Sequence, residues 1–245
     1  MKYSNLKRFY TDQDLSQNIH VNFINNKHHY LKNVMRLKSK DLIRLFNGKD
    51  GEWLVKIENI EKKSSLLLVQ EQLSRQKNSP DIWLIFSPVK KDRLNILVQK
   101  TTELGVKRFI PIKTQRTNIK NVNIINLKHN IIEASEQSER LDIPIVQELL
   151  NFGDFINSWP EDRCLLYCDE SSPREISIIS KILEIKKEFS KWSILIGSEG
   201  GFSSKERSLI LKLKNSYPVS LGKRVLRSDT AATAALFSLQ QLVDN

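Results

Sequence analysis

Hydrophobic positions along this chain change their period near residue 80. Before that point, short apolar runs alternate with turn pairs. Asp41-Leu42-Ile43-Arg44-Leu45-Phe46 leads into Asn47-Gly48 and Asp50-Gly51, and Glu52-Trp53-Leu54-Val55-Lys56-Ile57 follows. Asn-Gly and Asp-Gly supply the left-handed positions of tight hairpin turns, so the two runs read as neighbouring strands. Ser65-Leu66-Leu67-Leu68-Val69 adds a third, and the region reads as a small β-barrel closing over its own edges. Within Lys27–Leu37 the apolar positions 30, 31, 34, 35 and 37 fit a short amphipathic helix with a basic outer face.

The polar stretch Ser74-Arg75-Gln76-Lys77-Asn78-Ser79-Pro80 has no period and ends in proline, which marks a linker over 75–80. Strand and helix patterns alternate beyond it. Strands are predicted at 82–86, 108–112, 163–168, 192–197 and 217–221. Helices are predicted at 90–104, 127–139, 174–187, 203–214 and 229–243. Apolar strand runs alternating with amphipathic helices imply a parallel sheet covered on both faces. The division is therefore 1–74, a linker, and an α/β domain over 81–245.

Two glycine turns carry the candidate chemistry. Ile194-Leu195-Ile196 ends in Gly197-Ser198-Glu199-Gly200-Gly201-Phe202, and Ser203-Ser204-Lys205-Glu206 reads as a helix capping box. A strand thus delivers a glycine loop into a helix N-terminus, where backbone N–H groups can hold a polar ligand. The second turn, Leu221-Gly222-Lys223-Arg224-Val225-Leu226-Arg227, precedes Ser228 or Asp229 as N-cap of an alanine-rich helix. Three cations beside a glycine turn suit phosphate oxygens and base edges. Neither the dinucleotide fingerprint nor the P-loop fits this spacing. A third polar group, Glu133, Gln137 and Arg140, shares one helical face and reads as solvated.

The net charge of +11 raises the question of a polyanionic partner. Residues 1–75 hold 14 Lys/Arg against 8 Asp/Glu, about three times the net positive charge per residue of the remainder (25 against 20 over 170 residues), which a uniform codon bias would not produce. Nucleic acid is the expected partner. Cys164 and Cys168 match neither a disulfide framework nor a zinc pattern and read as small buried hydrophobes. No apolar run reaches membrane-spanning length and the N-terminus lacks a signal-peptide core, so a cytoplasmic protein without membrane or metal partners is expected. No Ser/His/Asp set presents itself. The residues alone point to a cofactor site beside an anionic substrate, and they leave open a non-catalytic RNA-binding factor and a nucleotide-dependent oxidoreductase.

Val98-Gln99-Lys100-Thr101-Thr102-Glu103-Leu104-Gly105-Val106, Glu133–Ser138, Gly197–Phe202 and Leu221–Arg227 together resemble the bacterial ribosomal RNA small subunit methyltransferase E family. Arg8-Phe9-Tyr10 and the His29–Gly48 segment match in the same order. The resemblance implies a PUA-like barrel followed by a SPOUT methyltransferase domain with a C-terminal trefoil knot. It also implies a homodimer and S-adenosylmethionine-dependent methylation of N3 of one 16S rRNA uridine in the small ribosomal subunit. Ser198 stands where the family commonly has proline, and Asp229 where it commonly has glutamate. Under this reading Arg227, Asp229 and Glu199 are the candidate catalytic residues. Leu195, Gly197, Glu199, Gly200, Gly201, Leu221, Gly222 and Leu226 are expected at the cofactor. Arg8, Arg36, Lys38, Arg93, Arg116, Lys223 and Arg224 are expected on RNA.

Overall fold

A computed structural model describes residues 3–119, 121–170 and 176–243 and resolves two compact units. The first comprises Met1–Asn78 and Ser135–Ile143. It contains β1 (Arg8–Tyr10), β2 (His20–Ile24), α1 (Asn25–His29), β3 (Leu42–Phe46), β4 (Glu52–Ile60) and β5 (Ser64–Ser74). Their order is β1-β3-β4-β5-β2, with β1 parallel to β3 and the other pairs antiparallel. β1 and β2 are the two ends of the ladder, so the expected barrel is a half-barrel. Its concave core gathers Leu31, Ile43, Val55, Ile57, Leu67 and Val69.

The β3–β4 hairpin forms where its turn pairs predict it, with Phe46 opposite Glu52. Gly51 adopts φ +82°, and a Cβ there would stand 2.1 Å from the Ser74 carbonyl oxygen, so no other residue fits. The predicted helix over 27–37 is α1 followed by a π-helical turn over Tyr30–Val34. β1 and β2 escape a sequence reading because they are short and mix polar with apolar residues.

Charge is buried in this unit. Glu52 pairs with both Arg8 and Arg44, Arg8 also donates to the carbonyls of Ser135 (2.6 Å) and Arg140 (2.7 Å), and Arg44 reaches Glu139 at 2.9 Å. Tyr10 N donates to Glu136 Oε1 at 2.7 Å. Of the predicted solvated face, Glu133 and Gln137 are exposed as expected, but Arg140 does not share it, because the helix ends at Gln137 and Glu139 turns to φ +59°. The chain leaving that helix is instead held by the arginines of β1 and β3.

The second unit comprises Ser79–Ala134 and Pro144–Asn245. In order it runs β6 (Asp81–Phe86), α2 (Lys91–Glu103), β7 (Arg108–Lys113), α3 (Ile124–Gln137), β8 (Ile145–Val146), β9 (Leu150–Asn151), α4 (Phe152–Asn157), β10 (Cys164–Cys168), α5 (Ile178–Ile185), β11 (Lys191–Ile196), α6 (Ser204–Lys212), β12 (Ser216–Val219) and α7 (Ser228–Val243). The sheet order β12-β10-β11-β6-β7-β8 is wholly parallel, and β9 adds to β7. β12, with Pro218 opposite Tyr167, and the two-residue β8 form its edges.

Each predicted strand and helix of this unit is present within a few residues. The helix predicted at 174–187 spans Ile178–Ile185, capped by the Ser177 hydroxyl; positions 174 and 175 of that reading lie outside the described residues. α7 packs against α2, α5 and β11, and its buried face is built from Ala231, Ala232, Ala235, Leu236 and Leu239. The alanines let the helix axis lie close to the sheet.

Candidate active site

The strands of a parallel sheet end on one side, and ligands bind where their carboxyl-end loops leave a crevice. Here β10, β11 and β12 deliver Cys168–Glu170, Gly197–Phe202 and Ser220–Arg227 to a single cavity of about 440 Å³. Helix α6 is anchored behind the first glycine loop by the predicted capping box. Ser203 Oγ accepts from Glu206 N, and the Glu206 carboxylate accepts from Ser203 N at 2.8 Å.

The three glycines of the first loop have separate physical reasons. A Cβ on Gly197 would stand 2.8 Å from Cε2 of Phe202, a buried ring stacked edge-on against Tyr167. Gly201 takes φ +66° and donates its N–H to the Ser198 carbonyl at 2.8 Å, closing the turn. Gly200 faces away from the cavity, against the Arg116 side chain. In the second loop Gly222 has φ +115° with open space where a Cβ would be.

The two loops are joined directly. Ser228 Oγ donates to the Gly197 carbonyl at 3.0 Å, so this hydroxyl links the loops instead of capping α7. Helix α7 begins at Ser228 with the Ala231 N–H bonded to the Arg227 carbonyl, which makes Arg227 its N-cap. Farther back, Ser220 lies beside the start of α5: its N–H bonds to the Ile176 carbonyl (2.8 Å) and its carbonyl accepts from Ile178 N (3.0 Å).

Most of the predicted site residues meet here. Gly197, Glu199, Gly201, Leu221, Gly222, Leu226, Arg227, Arg93, Lys223 and Arg224 all line the cavity. Lys223, Arg224 and Arg227 are exposed at its mouth and form no ion pair among the described residues. Glu199 is ion-paired with Arg93 from α2. Asp229 sits in the first turn of α7, outside the lining, with its Oδ1 buried and without a hydrogen bond among the described residues.

Several assignments are corrected. Leu195 is fully buried in the core with Tyr167 and Phe202; its neighbour Ile196 lines the cavity instead, because successive strand residues face opposite sides. Gly200 does not line it either. Arg8 is not at the surface as an RNA contact would require: its side chain is 3% exposed and committed to Glu52 and backbone carbonyls. Arg116 donates Nη1 to the Gly200 carbonyl at 2.7 Å. Arg36 and Lys38 remain exposed in the first unit.

Asp169 and Glu170, which follow the strand predicted at 163–168, border the cavity as that placement leads one to expect. The Asp169 side chain is 4% exposed and is gripped by Arg207 of α6, Nε to Oδ2 at 2.9 Å and Nη2 to Oδ1 at 3.3 Å. Burial, then the neighbouring carboxylate of Asp169, pushes the Tyr167 phenol well above its ordinary value, so it stays protonated. Burial likewise pushes both cysteine thiols up to about 12. Neither is a nucleophile at neutral pH. Among the described residues, no cluster of His, Cys, Asp or Glu could hold a metal ion, and no helix is long and apolar enough to cross a membrane.

Comparison with known proteins gives one picture. The family described as RNA methyltransferase domain matches residues 76–240, and the RNA methyltransferase PUA domain matches 26–70. A ribosomal RNA small subunit methyltransferase E from Rickettsia conorii is 35% identical over 99% of this chain and 97% of its own. One from Synechocystis is 32% identical over 89% of this chain and 71% of its own. The crystal structure of a ribosomal RNA small subunit methyltransferase E from Neisseria gonorrhoeae bound to S-adenosyl methionine superposes with TM-score 0.87. It is 27% identical and covers 97% of this chain and 98% of that one.

Proposed function

Because the chain belongs to the ribosomal RNA small subunit methyltransferase E family, we propose that it methylates N3 of one uridine in 16S rRNA, using S-adenosylmethionine. The observation that carries this reading is the joining of two glycine loops around one cavity whose mouth holds three cations with no ion pair among the described residues. The cavity fits the cofactor chemically. Ile196, Leu221 and Leu226 offer an apolar wall, loop backbone groups offer donors and acceptors, and Asp169 and Glu199 offer carboxylates to a cationic ligand. When bound, the cofactor supplies an activated methyl on its sulfonium.

Uridine N3 must lose its proton before its lone pair can form the N–CH₃ bond as the S–CH₃ bond breaks. Arg227 stands at the mouth, where its guanidinium stabilises negative charge spreading onto the uracil oxygens. Asp229, with a buried carboxylate oxygen in the adjacent turn, or Glu199 on the facing loop accepts the proton or orients the base. Lys223 and Arg224 hold phosphates and orient the strand, supplying positioning more than chemistry. Leu221, Gly222, Leu226, Gly197 and Gly201 hold the cofactor.

The N-terminal half-barrel, 1–74, grips RNA through exposed cations that include Arg36 and Lys38. The α/β domain over 81–245 is knotted, its C-terminal segment passing beside Ile176–Ile178 before α7 returns across the sheet; the Ser220 bonds support that path. The exposed Ile96 of α2 and Phe237 of α7 support a homodimer formed through these helices in the cytoplasm.

Mapping of 16S rRNA by mass, from cells lacking the gene and complemented with wild type or Arg227→Ala, tests the activity. One uridine loses 14 mass units in the deletion and regains them only with wild type. Unchanged methylation by Arg227→Ala with unchanged cofactor affinity overturns the role of Arg227. A deletion strain with unaltered 16S rRNA overturns the target and favours another RNA.

A further inference from the structure

The segment after β7 fastens the first glycine loop from behind. Gln115 N donates to Glu206 Oε1 at 2.7 Å, so the carboxylate that caps α6 also holds this segment. Ser198 Oγ donates to the Arg116 carbonyl at 3.2 Å, and Arg116 Nη1 donates to the Gly200 carbonyl at 2.7 Å. A Cβ on Gly200 would lie 3.3 Å from Arg116 Cβ and 3.5 Å from its Cδ, so the missing side chain is what allows the arginine to lie flat on the loop. The segment is itself stiff: Thr114 N bonds to Thr117 Oγ1 (3.0 Å), Thr117 N to the Thr114 carbonyl (3.1 Å), and the two hydroxyls to each other (2.7 Å).

The loop has little order of its own. Between Gly197 and Phe202 the backbone closes one internal hydrogen bond, Gly201 N to the Ser198 carbonyl. Glycines carry the largest backbone entropy, and a ligand held by backbone groups must meet that cost unless the loop is already ordered. We infer that Arg116 is a positioning residue for the cofactor loop, holding the Gly200 carbonyl outward so that Gly197 and Gly201 stay turned to the cavity. Arg116 itself lines no part of that cavity. The inference rests on the reading of this cavity as the S-adenosylmethionine site, and it moves Arg116 from the RNA contacts to the scaffold of the cofactor.

Calorimetric titration of the full-length protein with S-adenosylmethionine, without RNA, separates the two roles. Arg116→Ala raises the dissociation constant about 5- to 20-fold, the weight of one hydrogen bond from a charged donor. Arg116→Lys, which keeps one donor, recovers part of the loss. In turnover the KM for cofactor rises by the same factor while kcat at saturating cofactor changes less than about twofold. Affinity for a 16S rRNA fragment without cofactor stays within about twofold of wild type. Gly200→Ala, a milder change, also weakens cofactor binding, and by somewhat less when combined with Arg116→Ala, because the 3.5 Å Cδ contact is then gone while the 3.3 Å contact with Cβ remains. Wild-type cofactor affinity in Arg116→Ala, with RNA affinity lost, overturns the inference and returns Arg116 to RNA. Leu226→Trp, which fills the cavity, is the control: intact cofactor affinity in that variant overturns the cavity reading itself and the inference with it.

Discussion

Gly197→Ala is the sharpest test of the loop's construction. The added methyl would stand 2.8 Å from Cε2 and 3.2 Å from Cδ2 of Phe202, well inside contact distance. Phe202 cannot swing away, because its ring is 1% exposed and packed edge-on against Tyr167 at 5.3 Å. The backbone of residue 197 also cannot retreat freely, since its carbonyl accepts from Ser228 Oγ. Forcing a methyl into such a site costs about 1–3 kcal/mol. For a chain of this size that lowers the melting temperature by about 3–10 °C. Gly153→Ala in α4 is the matched control, for no atom lies within 4 Å of its Cβ position; it leaves the melting temperature unchanged or slightly raised. Differential scanning fluorimetry with and without S-adenosylmethionine reads both effects. A Gly197→Ala protein that melts within 1 °C of wild type, a precision of about a third of a kcal/mol, refutes the packing argument. Phe202→Leu in the same background should recover part of the loss, because it removes the ring atoms that clash.

Arg8→Ala removes one partner of a buried carboxylate and lowers stability by about 3 kcal/mol, measured by denaturant unfolding. RNA affinity, measured where the variant remains folded, is unchanged; a specific loss of RNA affinity without loss of stability would restore Arg8 to the RNA contacts. Hydrogen bonds from Asn47 and the Leu15 N–H hold the Asp50 carboxyl below its usual range. A depressed folded-state value contributes stability that is present above the unfolded value, near 4, and is lost as pH falls toward the folded one. Asp50→Asn therefore flattens the acid limb of melting temperature against pH, and parallel curves for variant and wild type would rule this contribution out.

Most of the α/β unit is readable because β6, β7, β10 and β11 are apolar runs and its longer helices keep a 3.6-residue period, whereas the two-residue β8 and β9 and the six-residue α4 are too short to show one. Turn chemistry marked the β3–β4 hairpin equally well. Strand β1 was not readable, since Arg8-Phe9-Tyr10 is too short for a period and its arginine is buried against the usual preference. Facing direction within the site was also beyond the sequence. Both faces of β11 are covered, so Leu195 and Ile196 look alike as residues, and only the fold turns Ile196 to the cavity and Leu195 to the core. Gly200 and Gly201 are a similar pair, one fitting an arginine and the other a left-handed turn. Arginine as an amino-acid type suggests phosphate, yet Arg8, Arg93 and Arg116 bind carboxylates and carbonyls of their own chain.

The edges of the parallel sheet bear on how copies of this protein can associate. A free strand edge invites another chain to extend the sheet, with aggregation as the hazard. Here β12 is four residues long and carries Pro218, which has no N–H to offer, and β8 at the opposite end is two residues long. Both ends resist growth by strand addition. Any self-association that preserves the sheet is left to helix surfaces, and the same short, proline-bearing margin guards against fibrous growth.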